Sequence, residues 1–166
     1  MKKLAHSLLM LGLGVAIGLG AMLVQRPEPL KAGNAHGNDK FSMCTVPISP
    51  RESEAVFVLD HLTGVLRGGW VNGQAGTFTH TYLRNVAADF NLNPATPEPK
   101  YAIVSGGANV QAGGRAQVAN GVIYVGELTS GTVVAYGFAM PTGRGSAVPL
   151  ELVRIGGFSF REAVGG

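Results

Sequence analysis

Apolar and polar positions along the chain fall into one pattern that occurs twice. Val56-Phe57-Val58-Leu59 runs into Asp60, two residues, Thr63, Gly64 and a second apolar pair, Val65-Leu66. The same order returns without a gap, 67 residues later, at Ile123 to Val134, with Glu127, Ser130 and Gly131 in the matching places. β-branched and aromatic residues suit a pleated, half-buried surface. A glycine closing a short polar segment suits a turn that needs positive φ. Each copy is therefore predicted to be a strand, a tight turn and a returning strand. Asp60, Thr63 and Gly64, and Glu127, Ser130 and Gly131, are read as turn residues, the acids and hydroxyls accepting turn amides.

The rest of the chain adds strands and little helix. Phe78 to Leu83 alternates like a strand, and Tyr101 to Val104 predicts another. Leu150 to Ile155 and Phe158 to Arg161 predict two more. Ser49-Pro50-Arg51-Glu52 has the form of a capping box with proline at the first helical position, predicting a short helix to about Ala55. Leu83, Val86, Ala87 and Phe90 stand at helical spacing, predicting a second over Arg84–Phe90. Pro94, Pro97 and Pro99, Ser105 to Asn120, and Pro141 to Ser146 read as loops. The predicted fold is mainly β: a small antiparallel sheet, barrel or sandwich built on a duplicated hairpin, with one or two short helices. Its expected core is Val56, Val58, Leu66, Val86, Ile103, Ile123, Val125, Val133, Leu152 and Phe160.

The N-terminus changes the picture. Lys2 and Lys3 precede an apolar run from Leu4 to Val24, long enough to cross about 30 Å of hydrocarbon. A cleaved secretory signal would be shorter; Gly18-Leu19-Gly20-Ala21 would be its exit, and a secreted or periplasmic protein its result. The full length favours an uncleaved transmembrane anchor. Gly14 and Gly18 form a G-x-x-x-G face for helix packing. The two lysines place the N-terminus inside and the C-terminal domain outside the cytoplasm. The expected organisation is an anchor over 1–24, a Pro- and Gly-rich linker over 25–42, and an extracytoplasmic β-rich domain over 43–166, in a bacterial inner membrane.

Charge and cysteine content exclude several functions. The formal charge is +3. Residues 1–40 hold five basic residues and two acids, and so account for all of it; residues 41–166 hold eight of each. A domain without basic excess has no electrostatic footprint for nucleic acid. The single cysteine, Cys44, excludes an internal disulfide and a multi-cysteine zinc site, and leaves an intermolecular disulfide open. No P-loop, dinucleotide fingerprint or nucleophile motif is present, so no cofactor is expected.

Two sets of residues carry candidate chemistry. His61 and His80, with Asp60 or Glu127, have the ligand types of a two-histidine-plus-carboxylate metal site, though not its usual spacing. Trp70, Tyr82, Tyr124 and Tyr136 have the composition of an aromatic recognition patch. The first reading of function is a membrane-anchored interaction or scaffold domain without catalysis. The alternative is an exported metal-dependent hydrolase or small-ligand-binding protein using His61, His80, Asp60 and Glu127. The neutral domain, its sheet edges, the G-x-x-x-G face and Cys44 also favour a homo-oligomer. Nothing in the sequence names another protein partner.

Two resemblances bear on this. Leu59-Asp60 through Thr63-Gly64, with Leu66 and a displaced Trp70, resembles the repeat of quinoprotein-type β-propellers. Two copies cannot close a propeller, so no quinone site follows. Ala55–Asp60, Arg84–Asp89 and Tyr124–Leu128 resemble stretches of an uncharacterised family of small bacterial exported proteins, over residues 43–140. That resemblance implies no activity. It singles out Arg84, Asn85 and Asp89 as a polar cluster, in which an Arg–Asp pair would sit one helical turn apart with Asn85 as a cap.

Overall fold

A computed structural model of the protein describes residues 35–49, 54–90, 92, 99–108, 110, 117–143 and 145–161. The apolar run 4–24 with Gly14 and Gly18, the core of the capping box at 50–53, and Pro94 and Pro97 lie outside the described residues. No helix among the described residues is long and apolar enough to cross a membrane.

The chain is mainly β, and its described residues form two sheets. The first contains β1 (Ala35–Gly37), β2 (Phe41–Pro47), β3 (Glu54–Asp60), β4 (Val65–Asn72), β5 (Thr77–Asn85) and β9 (Leu150–Glu151), in that spatial order. Its neighbours are antiparallel except β9, which runs parallel to β5. The second contains β6 (Tyr101–Gly107), β7 (Gly121–Glu127), β8 (Thr132–Gly137) and β10 (Val153–Ser159), all antiparallel, in the order β10-β8-β7-β6. One hairpin of the repeat, β3–β4, lies in the first sheet; the other, β7–β8, lies in the second. The inner faces of both sheets share one core. Phe57 of β3, Tyr82 of β5 and Phe138 meet at its centre, with ring centroids 5.1 to 5.6 Å apart.

Several expectations need correction. The linker gives way to strands before residue 42: β1 and the start of β2 lie within it, and β2 carries Cys44 into the core. The 49–55 helix ends in a strand, since Glu54 and Ala55 begin β3. Arg84 and Asn85 finish β5, and only a four-residue 3-10 turn, Ala87–Phe90, follows. β6 runs on through Ser105 to Gly107, where a loop was expected. β10 crosses Gly156-Gly157 as one strand, with a bulge between Arg154 and Gly156 in place of a break.

The core differs by one residue of phase in β3. Ala55, Phe57 and Leu59 are buried, while Val56 and Val58 face outward and are half-buried. Both faces of this strand are apolar, so alternation alone cannot choose between them. Gly68, opposite Phe57 on β4, decides it: a Cβ there would fall inside the Phe57 ring. Leu66, Val86, Ile103, Ile123, Val125 and Leu152 are buried as expected, whereas Val133 is half-buried and Phe160 is exposed.

Candidate functional site

The turns come first, because they place most of the polar groups. Gly64 and Gly131 have φ of 65° and 69°. Gly64 N–H donates to Asp60 C=O, and Gly131 N–H to Glu127 C=O. Asp60 accepts from Leu62 N and Thr63 Oγ1, and these bonds hold its carboxyl below the ordinary value. Glu127 accepts from the amides of Lys100, Thr129 and Ser130. Burial pushes its carboxyl up, but the Ser130 and Thr129 bonds outweigh it and leave the carboxyl below its usual range. A third turn repeats this design: Asn72 Oδ1 accepts from Gln74 N and Ala75 N, and Gly76, φ 65°, donates to Asn72 C=O. The sequence reading missed it, although an acceptor four residues before a glycine is the same signal in all three.

The histidines do not meet. His61 lies at the β3–β4 turn, and Val65 of that turn pairs with Asn85 of β5. His80 stands five residues back along β5, about 17 Å away at strand rise. His61 Nε2 and Ser42 Oγ are 2.7 Å apart, both groups buried, beside the Tyr101 ring. His80 Nε2 donates to Thr142 C=O, so its Nδ1 is free to accept from Thr79 Oγ1. His61 lines a groove of about 440 Å³ with Asp39, Lys100 and Leu128; His80 lines another, of about 400 Å³, with Met140 and Thr142. Among the described residues no three His, Cys, Asp or Glu side chains are grouped to hold a metal ion. The convergence of His61, His80, Asp60 and Glu127 that the metal-site alternative requires is not found: each carboxylate is taken up by its own turn, and each ring by its own neighbour.

Ser42 and His61 are the types of a nucleophile and its base. No carboxylate is hydrogen-bonded to the other ring nitrogen among the described residues, so the pair lacks the group that would orient it. Cys44 is buried in β2, which pushes its thiol up to about 12. A buried, protonated thiol suits neither a nucleophile nor the intermolecular disulfide considered from the sequence.

The aromatic patch also disperses. Tyr82 and Tyr136 are core residues, Trp70 packs at the core margin beside His80, and Tyr124 stands half-buried on the opposite face of β7. Tyr136 Oη instead joins the Arg84 cluster. Arg84 donates two bonds to Asp89, at 2.8 and 2.9 Å, one to Glu151 at 2.7 Å and one to Leu152 C=O. Tyr136 Oη donates to the same Asp89 carboxylate. The Arg–Asp pair thus exists, but between β5 and the 3-10 turn, five residues apart. With its donors engaged, the cluster is a clamp between sheets; an open groove of about 480 Å³ runs past it.

What remains is a surface. On the inner side of the second sheet stand Ile103, Ile123, Val125, Val134 and Tyr136. Their alternates form the outer side, and cross-strand pairing aligns them: Val104 with Tyr124 and Ala135, then Gly126 with Val133 and Phe158. Across all four strands this outer face carries no charged side chain, and the Tyr124 hydroxyl is its one polar side-chain group. It is most open at its two margins, where Val104 is 53% exposed, Phe158 62% and Val153 64%. The outer face of the first sheet, by contrast, includes Glu54, Asp60, Arg67 and Thr81.

Compared with protein-family models, with curated proteins and with solved structures, the chain finds no match.

Proposed function

We propose that this chain is a membrane-anchored, extracytoplasmic interaction or scaffold domain without catalytic activity, whose docking surface is the outer face of the second sheet. The carrying observation is a four-stranded face without charge, open at both margins and half-buried between them, with Val122 alone of its large side chains buried. Contiguous exposed apolar surface on a folded domain marks an interaction site. A sheet with one solvated face normally alternates apolar with polar residues. Strands β7 and β8 are instead apolar on both faces between the closing Glu127 of one and the opening Thr132 of the other, as in sheets covered on both sides. The length and flanking lysines of residues 4–24 support an anchor in the bacterial inner membrane with the domain outside.

The test is a photo-crosslinking residue placed at Val104 and, separately, at Arg67 in the full chain in cells. The proposal predicts a discrete cross-linked species from position 104 and none from position 67. Equal behaviour at the two positions removes the special status of this face.

A further inference from the structure

The residues left open on the outer face of the second sheet are large and apolar: Val104 on β6, and Val153, Ile155 and Phe158 on β10. Ile155 belongs to this side, because its Cδ1 lies 3.3 Å from where a Cβ on Gly137 would stand. Behind these side chains the ladder is closed. β7 and β8 each have a strand on both sides, so their backbone groups are spent within the sheet. The Tyr124 ring lies over Gly106 on β6, which carries the face's one hydroxyl toward that margin. A protein interface of standard size holds about ten hydrogen bonds. This face has almost nothing to give them. A hydrocarbon boundary asks for none, since it takes apolar side chains whose backbone is already paired.

Charge gathers at one end of the face. Lys100 C=O accepts from Leu128 N–H, and Arg161 Nη1 donates to Thr129 C=O, so both residues flank the turn from β7 to β8. Neither is in an ion pair among the described residues. The acid of that turn, Glu127, is buried and held by its own amides. Asp39 shares a groove with Lys100, and the two cations outnumber it. The Arg161 guanidinium lies 6.0 Å from the centroid of the exposed Phe160 ring. An apolar body with a cationic rim suits an anionic lipid surface.

The tether favours the same occupant. β1, the first described strand, lies beside β6: Ala35 and Gly37 share a groove with Ala102 and Ile103. Ala102 pairs with Gly126 in an outer-face row. Residues 25–34 span at most about 35 Å. An anchor over 4–24 therefore delivers its chain to the β6 margin of this face and holds the face within that reach of lipid. Resting on the readings of residues 4–24 as an anchor and of this face as a docking surface, we infer that the occupant is the bilayer itself. Val104, Val153, Ile155 and Phe158 enter the boundary between headgroups and acyl chains, and Lys100 and Arg161 meet the phosphates of anionic phospholipid.

The test uses the full chain in vesicles of phosphatidylglycerol and phosphatidylcholine. A fluorophore is attached at Val104→Cys or, separately, at Arg67→Cys. Both positions are exposed, and Cys44 is buried and stays unlabelled. Position 104 should be quenched by a nitroxide carried on the lipid and shielded from iodide in the water, with a blue-shifted emission. Position 67 should show the reverse. Pure phosphatidylcholine, or Lys100→Glu/Arg161→Glu in the mixed vesicles, should weaken the lipid quenching at 104; quenching unchanged by both overturns the assignment of an anionic surface. Shielding from iodide without lipid quenching means that a second copy covers the face, which overturns the inference and leaves the docking surface standing. Iodide access at 104 equal to that at 67 also overturns it. The crosslinker at position 104 in cells then separates the two readings. Capture of a protein there keeps the docking surface with another occupant, capture of nothing removes the docking surface as well, and a lipid adduct is the capture expected of bilayer contact.

Discussion

Tyr136 Oη donates a 2.9 Å hydrogen bond to Asp89 Oδ2, tying β8 of the second sheet to the 3-10 turn that follows β5 of the first. The carboxylate it reaches is already gripped by Arg84. The tyrosine therefore adds a charge-assisted contact to a junction that also holds Tyr82 Oη donating to Ala139 C=O and Asn120 N–H donating to Ile48 C=O. Tyr101, also in the core, has no hydrogen-bond partner for its hydroxyl among the described residues.

These two tyrosines give a paired prediction. Tyr136→Phe should cost roughly 1–3 kcal/mol, because a charged acceptor loses its donor in a part-buried place. Tyr101→Phe should be neutral or slightly stabilising, since an unsatisfied buried hydroxyl is removed. Urea unfolding of the full chain, followed through Trp70, its only tryptophan, measures both. Equal losses from the two would show that the Asp89 contact is not the cause.

The same carboxylates set the acid limit. Arg84 holds Asp89 below its ordinary 3.8, and the Glu127 turn keeps that carboxyl below its ordinary 4.5. A carboxyl whose folded value is depressed contributes stability in full above the unfolded value and loses it as pH falls through the folded one. Stability should therefore be level from about pH 7 to 5 and fall below about pH 4.5. Asp89→Asn should lower the plateau and flatten the descent. A descent of unchanged slope in Asp89→Asn would remove Asp89 from the account.

Two glycines with the same φ test backbone against packing. Gly76→Ala, in open space, should cost only the left-handed penalty of about 1–2 kcal/mol. Gly64→Ala should cost more, because its Cβ would stand 2.6 Å from the Ala87 Cβ. Unfolding midpoints of the two variants decide it; equal midpoints would mean that Ala87 moves aside freely.

The turns were legible in the sequence because acid, hydroxyl and glycine act locally. The faces were not. The two copies of the repeat align residue for residue, yet they are in opposite phase: Phe57 and Leu59 point inward, while their counterparts Tyr124 and Gly126 point outward. Glu127 is consequently buried, whereas Asp60 is only half-buried. Apolar residues on both sides of a strand carry no phase, so partners distant in sequence, such as Gly68 beneath Phe57, must supply it. The same ambiguity hid the apolar outer face, which in one dimension reads as surplus core. His61 and His80 were grouped by residue type alone, and only strand register separates them.

The location carries its own prediction. If the proposed anchor over residues 4–24 spans the bilayer, the full chain should sediment with membranes and stay there through high salt and alkaline washing. Recovery of a mature chain beginning near Ala21 or Ala32 in a soluble fraction would replace the anchor with a cleaved signal.

The most direct test combines place and surface. Cells with an intact inner membrane and a permeable outer one are treated with a membrane-impermeant maleimide, using chains that carry Arg67→Cys or Val104→Cys. Cys44 stays silent, its thiol buried and pushed up to about 12. The account predicts rapid labelling at 67 and protection at 104 until the assembly is dissociated in denaturant. Equal rapid labelling at both positions would leave the outer face of the second sheet bare, and no labelling at 67 would place the domain inside; either result contradicts the account.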